Sequence, residues 1–277
     1  MYDILDDDNN TSEVDGSPDS SDGLIIGYFG HVEDDAPYTP PDVASTYFPS
    51  KFVPSPPTAT PESLFVSGVT LNHHRFVRRS NNTEILIYTD GACLNNGQAN
   101  PTGGWAFVYR PASSLAPRSY GTLSRRLENT GPTGAPAAQT SNRAELRAVI
   151  GALQFRQWAG EAERLVIATD SSYAVNGATE WARGWETNGW RTAKGQPVAN
   201  RDLWELLLKN IRELWSSGVD ILFWRIDRSL NVEADRAAKD AASQTDVPVF
   251  MKYMGIMMTV SEMGVVERAW GDEEPWF

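Results

Sequence analysis

The chain has almost no cysteine, since Cys93 is the single one among 277 residues. One cysteine excludes a disulfide framework and is typical of proteins that stay in a reducing compartment. No apolar run suits a secretory signal or a transmembrane helix, and the acidic beginning of the chain is unlike an Arg-rich transit peptide. We therefore expect an intracellular protein, nuclear or cytoplasmic and not secreted, with no membrane partner.

Histidine and positive charge are also scarce. The three histidines are His31, His73 and His74, which leaves the later sequence without an imidazole for proton transfer. The formal net charge is −12, but residues 1–63 hold thirteen of the 36 acidic residues and one basic residue, Lys51. The rest of the chain has 23 residues of each sign, so its overall charge does not exclude a nucleic-acid partner.

Composition divides the chain into three parts. Residues 1–82 contain nine of the seventeen prolines and no periodic apolar pattern, which predicts a disordered acidic leader rich in Pro and Ser. Deleting residues 1–63 is then expected to leave the melting temperature nearly unchanged. Residues 83–245 form the predicted domain. The extension 246–277 is Met-rich and has no motif, so it either packs on the domain or binds a partner.

The predicted domain has a mixed pattern of strands and helices. Strands are predicted at 85–90, 103–110, 119–128, 164–170 and 221–226, and helices at 141–158, 201–216 and 231–243. Three strands followed by alternating helices and strands indicate an α/β (α+β) fold, with a five-stranded mixed sheet covered by helices. In such folds, sites lie at the carboxyl ends of the strands.

Four acidic residues are the candidate site of this domain: Asp90, Glu145, Asp170 and Asp235. Each has an ordinary explanation alone, as a turn residue, a helix N-cap or a solvated helix charge. Together they are predicted to converge, and converging carboxylates repel each other by about 4 kcal/mol per pair at about 4 Å. Oxygen ligands suit Mg²⁺ or Mn²⁺, and two such ions favour hydrolysis of a nucleic-acid backbone.

The motifs around these acids resemble the type 1 ribonuclease H family. Residues 84 to about 243 carry, in the family's order, TDGAC, TSNRAEL, ATDSSYAVNGATEW, a Trp-rich segment and NVEAD, and the whole chain most resembles such proteins of filamentous fungi. The resemblance implies a ribonuclease H-like fold and an endonuclease that cuts the RNA strand of RNA/DNA hybrids with two Mg²⁺ ions. It further implies that Asp90 bridges both ions, that Asp235 helps to hold one, and that Glu145 and Asp170 hold the other.

The same resemblance implies substrate contacts. Residues matching those that read the RNA minor groove are Cys93, Asn95, Asn96, Ser141 and Asn142, and Glu145 also reaches a 2′-hydroxyl. The DNA strand would lie against Tyr173 and Trp181, and Thr140 and Asn200 match a phosphate pocket. Residues 181–204 resemble a basic handle in which Arg183, Arg191, Lys194 and Arg201 alternate with Trp181, Trp185, Trp190 and Trp204.

Three positions depart from the family pattern. Glu186 and Thr187 stand where a Lys pair is common, Ala138 stands where an Arg is common, and the loop in 224–235 is short and lacks the usual His. The missing His affects the expected rate more than the chemistry. The main alternative is a non-catalytic or weakly catalytic module that binds RNA/DNA hybrids or double-stranded RNA, and the presence of all four acids argues against it. A segment of a retroelement polyprotein is a third interpretation with less support.

Overall fold

The computed structural model of the protein describes residues 24–28, 46–71, 73–112 and 121–257. The strands are β1 Leu24–Tyr28, β2 Ser50–Lys51, β3 Phe65–Thr70, β4 His73–Arg78, β5 Asn81–Leu94, β6 Thr102–Val108, β7 Thr122–Arg126, β8 Arg164–Thr169, β9 Asp220–Arg225 and β10 Tyr253–Met257. The helices are α1 Pro61–Leu64, α2 Ser141–Gln154, α3 Ser172–Asn176, α4 Ala182–Thr187, α5 Arg201–Ser216 and α6 Val232–Ala241. A π-helical turn, Gly177–Trp181, precedes α4, and a 3₁₀ turn, Arg228–Leu230, precedes α6.

The main sheet has eight strands around the long strand β5. Its order is β2-β9-β8-β5-β4-β3, with β6 paired to β5 and β7 paired to β6. The pairs β5–β8, β8–β9 and β2–β9 are parallel, and the pairs to β4 and β6 are antiparallel. The mixed sheet and the helices confirm the predicted fold class. β1 and β10 form a separate pair.

Helices cover both faces of the sheet. On one face, α2 packs with a stripe of fully buried residues, namely Leu146, Val149, Ile150 and Leu153. This is the stripe that the helical spacing predicts. On the other face, the Ala-rich α6 lies directly on β6, and a Cβ atom on Gly104 would come within 2.3 Å of the Ala238 carbonyl oxygen. Small residues on both sides therefore bring α6 close to the sheet.

The prediction of a leader that is disordered throughout 1–82 is wrong for residues 46–71 and 73–82. This part of the chain contains β2, α1, β3 and β4, so the sheet has eight strands where five were predicted. Isolated aromatic residues provide the physical reason, because Phe52 and Phe65 are buried against Leu86, Val166 and Trp224 of the sheet. Long-range packing of this kind leaves no local periodicity. Residues 1–23 and 29–45 lie outside the described residues, so disorder there stays a prediction.

The first part of the C-terminal extension packs on the domain. The Arg147 guanidinium donates to the Met251 carbonyl oxygen at 2.6 Å and lies over the Phe250 ring at 4.4 Å. Its main carboxylate partner is Glu128, at 2.8 Å and equally buried. Residues 246–257 therefore complete a charged and aromatic cluster above the core, while the Met residues beyond 257 lie outside the described residues. Within the part of the chain that the structure describes, no helix is both long and apolar enough to cross a membrane.

Candidate active site

Two neighbouring parallel strands bring Asp90 and Asp170 side by side. Tyr88 of β5 pairs with Ala168 of β8, and each Asp lies two residues further along the chain, Asp90 within β5 and Asp170 directly after β8. Asp90 is not a turn residue, because β5 continues to Leu94 and the side chain is only 2% exposed. The ordinary explanation for Asp90 is therefore wrong, whereas Asp170 does follow the end of its strand, as expected.

The third acid comes from α2, which lies very close to β5. A Cβ atom on Gly91 would be 2.1 Å from the Glu145 amide nitrogen, so only glycine allows this approach. As a result, carboxylate oxygens of Asp90, Glu145 and Asp170 lie within 4.8 Å of one another. The sequence DG at 90–91 thus supplies both an acid and the space for its partner.

Burial and mutual repulsion shift the protonation of this cluster. Burial first, then the hydrogen bond and charge of Asp170 and the charge of Asp235, together raise the pKa of Asp90 to about 8. Burial also raises the pKa of Glu145 well above its usual value, with Asp90 and Asp170 contributing next. Ionised carboxylates at this spacing are unfavourable without a cation.

The fourth acid lies at the border of the cluster. The Asp235 carboxylate, on the first turn of α6, accepts hydrogen bonds from Arg228 and from Lys239, the latter at 2.6 Å. The Arg228 guanidinium also lies 3.6 Å from the nearer Asp170 oxygen. The structure therefore brings three of the predicted acids together and links the fourth to them through one arginine.

Asn231 and Arg228 are site residues that the sequence analysis missed. The Asn231 side chain is 1% exposed, and its Nδ2 donates to the Thr89 carbonyl oxygen at 3.0 Å and to Asp170 Oδ1 at 3.2 Å. Asp90 Oδ1 is 3.4 Å from the same nitrogen. An Asn directly before a helix is an ordinary N-cap signal, but this side chain does not cap α6. Both residues lie in the loop between β9 and α6, the loop that lacks the usual His.

The donor set fits a hard divalent cation. Every ligand atom that Asp90, Glu145 and Asp170 offer is a carboxylate oxygen, which suits Mg²⁺ or Mn²⁺ and is unlike the His and Cys sets of zinc sites. Burial, followed by the neighbouring carboxylates, raises the pKa of Asp90 and of Glu145, and the charge of Arg228 offsets only part of this effect. A cation with two charges at this point would favour the ionised forms of these acids.

One group of the predicted substrate residues lies at the beginning of α2, near Glu145. Asn96 Oδ1 is 3.4 Å from the Ser141 amide nitrogen, and the Cys93 thiol is 3.5 Å from the Gln139 carbonyl oxygen. Thr140 caps α2 by accepting from the Arg143 amide at 3.3 Å. The two other residues of this group are Asn95, whose φ is +54°, and the exposed Asn142. The group therefore forms one continuous rim beside the acids.

A second group lies at the beginning of α5. Asn200 Nδ2 donates to the Tyr173 hydroxyl at 3.3 Å. The Tyr173 and Trp181 rings form an edge-to-face pair with their centroids 6.4 Å apart. A bidentate ion pair between Arg143 of α2 and Asp202 of α5, at 2.9 and 2.5 Å, joins the two groups. The residues predicted for a phosphate pocket thus lie at the N-cap positions of neighbouring helices, although only the Thr140 side chain makes a capping hydrogen bond.

The Trp residues of the predicted handle do not all face solvent. Trp181 is 40% exposed, but Trp204 is fully buried and Trp190 nearly so. A Cβ atom on Gly177 would meet the Trp204 ring at 2.0 Å, which shows how closely the π-helical turn packs on it. Trp204 and Trp190 are therefore not available to stack on nucleic acid, because both rings belong to the core beneath the handle.

Comparison with known proteins places the chain in a family. The family model described as RNase H matches residues 82–243. Ribonuclease H of Treponema pallidum is 44% identical over 123 residues, which cover 44% of this chain and 70% of that protein. Human Ribonuclease H1 is 31% identical over 166 residues, which cover 58% of this chain and 51% of that protein. The likeness to fungal proteins in particular stays a prediction.

Solved structures with a similar fold include LC9-RNase H1, a type 1 RNase H with the type 2 active-site motif. It is 27% identical, with a TM-score of 0.38, and the alignment covers 58% of this chain and 72% of that one. The foamy viral protease-reverse transcriptase in complex with RNA/DNA hybrid is 19% identical, with a TM-score of 0.43, covering 58% of this chain and 20% of that one. Because the family model spans more than half of the chain and its relatives bear the same name, this chain belongs to the RNase H family, as a type 1 member.

Proposed function

We propose that the protein is a metal-dependent endoribonuclease that hydrolyses the RNA strand of RNA/DNA hybrids. The observation that carries this proposal is the buried cluster of Asp90, Glu145 and Asp170, whose oxygens lie within 4.8 Å of one another. Relatives that share this part of the chain are named Ribonuclease H. A cluster that repels itself is expected to persist only where a cation and its chemistry are needed.

Asp90, Glu145, Asp170 and Asp235 would hold two Mg²⁺ ions, with Mn²⁺ as a substitute, and Asp90 would lie between the ions. When bound, such a pair stabilises the attacking and leaving oxygens of a phosphodiester. The contact between Arg228 and Asp235 would compete with metal binding at this carboxylate. The ionised forms of all four acids are needed, so metal binding is coupled to the loss of protons from the cluster.

Residues around the acids orient them. The Asn231 amide holds Asp170 at 3.2 Å and is itself fixed by the Thr89 carbonyl oxygen at 3.0 Å. A buried, tethered donor of this kind keeps a ligand carboxylate in one rotamer, as outer partners do in metal sites. Arg228 supplies positive charge between Asp170 and Asp235 while the cluster holds no metal.

The rim at the beginning of α2 would contact the RNA strand. Asn96, Ser141 and Asn142 present amide and hydroxyl groups beside Glu145, and such groups can bind the 2′-hydroxyl that distinguishes RNA from DNA. Tyr173 and Trp181 would lie against the DNA strand, with Thr140 and Asn200 at a phosphate. The single cysteine supports an intracellular location for the protein, where it would meet this substrate.

The alternative is a hybrid-binding or double-stranded RNA-binding module without strong catalysis. One observation favours it: Asp235 is engaged by both Arg228 and Lys239, so its carboxylate has its charge matched without a metal. The missing loop histidine points in the same direction. Such a module would bind a hybrid but would leave the RNA strand uncut.

A cleavage assay with a labelled RNA/DNA hybrid distinguishes the two functions. We expect Mg²⁺ or Mn²⁺ to support cuts that leave a 5′-phosphate, EDTA to stop them, and Asp90→Asn to reduce the rate by a factor on the order of 10³ or more, because the several kcal/mol that metal chemistry supplies are lost. Asp240→Asn on the exposed side of α6 is the matched control and should cut normally. Tight binding without cleavage in every metal would establish the alternative.

Substrate choice is tested with the same hybrid. Replacing about four ribonucleotides at the cut site by deoxyribonucleotides should stop cleavage there, because the rim loses its 2′-hydroxyl partners. Duplex DNA should remain intact under the same conditions. Equal cutting of duplex DNA would mean that Asn96, Ser141 and Asn142 do not read the RNA strand.

A further inference from the structure

A short segment ahead of the family match, residues 46–53, crosses from the sheet to the handle, and we name it the strap. Its strand β2 adds to the outer edge of β9, and the Phe52 amide donates to the Phe223 carbonyl oxygen at 2.8 Å. The Phe52 ring is buried 4.7 Å from the ring of Trp224. One end of the strap is therefore fixed to β9 at the outer edge of the sheet.

The other end of the strap is fixed to the last turns of α5. The Tyr47 ring stacks on Trp215 with the ring centroids 4.1 Å apart and the planes 5° from parallel. The Tyr47 hydroxyl donates to the Asp220 carboxylate. The backbone carbonyl oxygen of Tyr47 accepts from Arg212 Nε at 3.3 Å. With both ends fixed, the residues between them are held in one position.

The middle of the strap contacts α4 and the π-helical turn before it. The Phe48 ring lies 4.8 Å from the Arg183 guanidinium and 5.1 Å from that of Arg212. Arg212 in turn forms a bidentate pair with Glu186 of α4, at 2.9 and 2.6 Å. Lys51 of the strap reaches Glu180 of the π-helical turn at 2.5 Å. Two direct contacts, and a third that passes through Arg212 of α5, thus connect the strap to the segment that carries the exposed Trp181.

Helix α4 is the last part of a helical segment that begins at Ser172. The backbone at Trp181 is helical and the Ala182 amide donates to the Gly177 carbonyl oxygen, so α4 follows the π-helical turn without a break. Contact with the core comes from the Trp185 ring, 5.3 Å from the Trp204 ring. That contact fixes one side of α4, and the strap fixes the side that carries Arg183 and Glu186. Glu186 is a departure from the family's lysines, and its pairing with Arg212 gives it a structural task.

We propose that the strap is a positioning element for the nucleic-acid-binding handle, and that Phe48 is its central residue. By holding Arg183 and Glu186, the strap sets the direction in which Trp181 and the rest of the handle meet the hybrid. This inference rests on the proposed function, since it assumes that the handle binds a nucleic acid. Phe48 acts through α4 and is a positioning residue, far from the acid cluster in the chain and attached to a different element.

The test uses the full chain with Phe48→Leu, which keeps an apolar side chain but removes the aromatic face. The control is Val53→Ala in the same strap, where the side chain is 79% exposed. We expect Phe48→Leu to raise KM for the hybrid about 3- to 10-fold, because two contacts between the ring and a guanidinium are lost. The kcat value should stay within about 2-fold of the wild-type value. Amide hydrogen exchange in 182–187 should become faster, and exchange in β8 should not change.

Three results would overturn the proposal: an unchanged KM together with unchanged exchange in 182–187, a fall in kcat at constant KM, or the same effects in Val53→Ala. Faster exchange in 182–187 without any loss of hybrid affinity would also overturn it, because the strap would then support the helix but not the binding. The affinity of both variants is measured with an uncut hybrid in EDTA. If the wild-type chain fails to cleave, the proposed function fails separately, while exchange and binding still decide the role of the strap.

Discussion

Gly91 of β5 lies directly against the backbone of α2 at Glu145. A Cβ atom on Gly91 would be 2.1 Å from the Glu145 amide nitrogen and 2.3 Å from the Ala144 carbonyl carbon. Both atoms belong to the backbone of α2 and cannot rotate away. The separation of the acids on β5 and α2 is therefore set by the absence of a side chain at position 91.

The first prediction is that Gly91→Ala pushes α2 away from β5. Overpacking against backbone costs about 1–3 kcal/mol or more of the free energy of unfolding, and the shift should also weaken Mn²⁺ binding by moving Glu145. Thermal unfolding and Mn²⁺ titration measure the two effects. Gly184→Ala is the control, because an added Cβ there meets no atom within 4 Å. Normal metal affinity in Gly91→Ala would show that Glu145 is not a ligand.

The second prediction concerns Asp90 and pH. Folding raises its pKa from 3.8 to about 8, so between these values the folded protein binds more protons than the unfolded chain. The free energy of unfolding of the metal-free wild type must then fall as pH rises through this range. Asn at position 90 has no such proton, so the metal-free Asp90→Asn protein should be the more stable one, with a gap that widens up to about pH 8.

Thermal unfolding in EDTA at a series of pH values measures this gap. Its upper limit is about 1.4 kcal/mol for each unit of pKa difference. Added Mg²⁺ should reverse the order of stability at about pH 8, because only the wild type keeps all the carboxylates that would hold the ion. A gap that does not depend on pH would mean that Asp90 is ionised throughout.

The third prediction concerns Arg228, which competes with metal for Asp170 and Asp235. Its side chain is 64% exposed, so the contacts are partly screened by solvent and the effect should be moderate. We expect Arg228→Ala to tighten Mn²⁺ binding roughly 3- to 10-fold, which corresponds to about 1 kcal/mol, and to lower the melting temperature in EDTA. Isothermal titration calorimetry measures the affinity.

A charge-matched control separates this contact from a general effect of charge. Arg236 lies on α6 and pairs with Asp240 at 3.8 Å, away from the acids. Arg236→Ala should leave Mn²⁺ affinity nearly unchanged. If both variants bind Mn²⁺ equally tightly, the contact of Arg228 with the acids has no specific role.

The fourth prediction replaces the expectation that the leader is dispensable. Phe52 is 8% exposed and packs on Trp224, so Phe52→Ala should lower the free energy of unfolding by about 3–5 kcal/mol. Its neighbour Val53 is 79% exposed, and Val53→Ala should change it by no more than about 0.5 kcal/mol. Chemical denaturation measures both values. A small effect of Phe52→Ala would restore the original view of residues 46–63 as dispensable.

The strands and helices of the family-matched part could be predicted because their signals are local. The run ILIY before Asp90 and the apolar stripe of α2 each reflect burial of neighbouring residues in one element. Asp90 and Asp170 could be predicted for a related reason, since each follows an apolar strand run and neighbouring parallel strands carry such positions to the same place in the sheet. Glu145 needed the family motif, because its position on α2 is otherwise that of an ordinary helix charge. Asp235 needed the family motif, because nothing in α6 alone indicates what it faces.

The remaining features depend on contacts between distant parts of the chain. Phe52 and Phe65 each stand alone among polar residues and prolines, and only the sheet shows what they cover. Asn231 has the sequence context of a helix cap, and its turn towards Asp170 is decided by the path of a loop. Trp204 and Trp181 have similar surroundings in the sequence, yet one is buried and the other exposed.

The packing of residues 46–65 has a practical consequence for isolating this domain. A fragment limited to 82–243 would expose the apolar surface of Leu86, Val166 and Trp224, and would leave the edge of β9 without its neighbour β2. An exposed apolar patch beside an open strand edge is the combination that drives aggregation. The smallest soluble unit of this protein is therefore larger than the part it shares with its relatives.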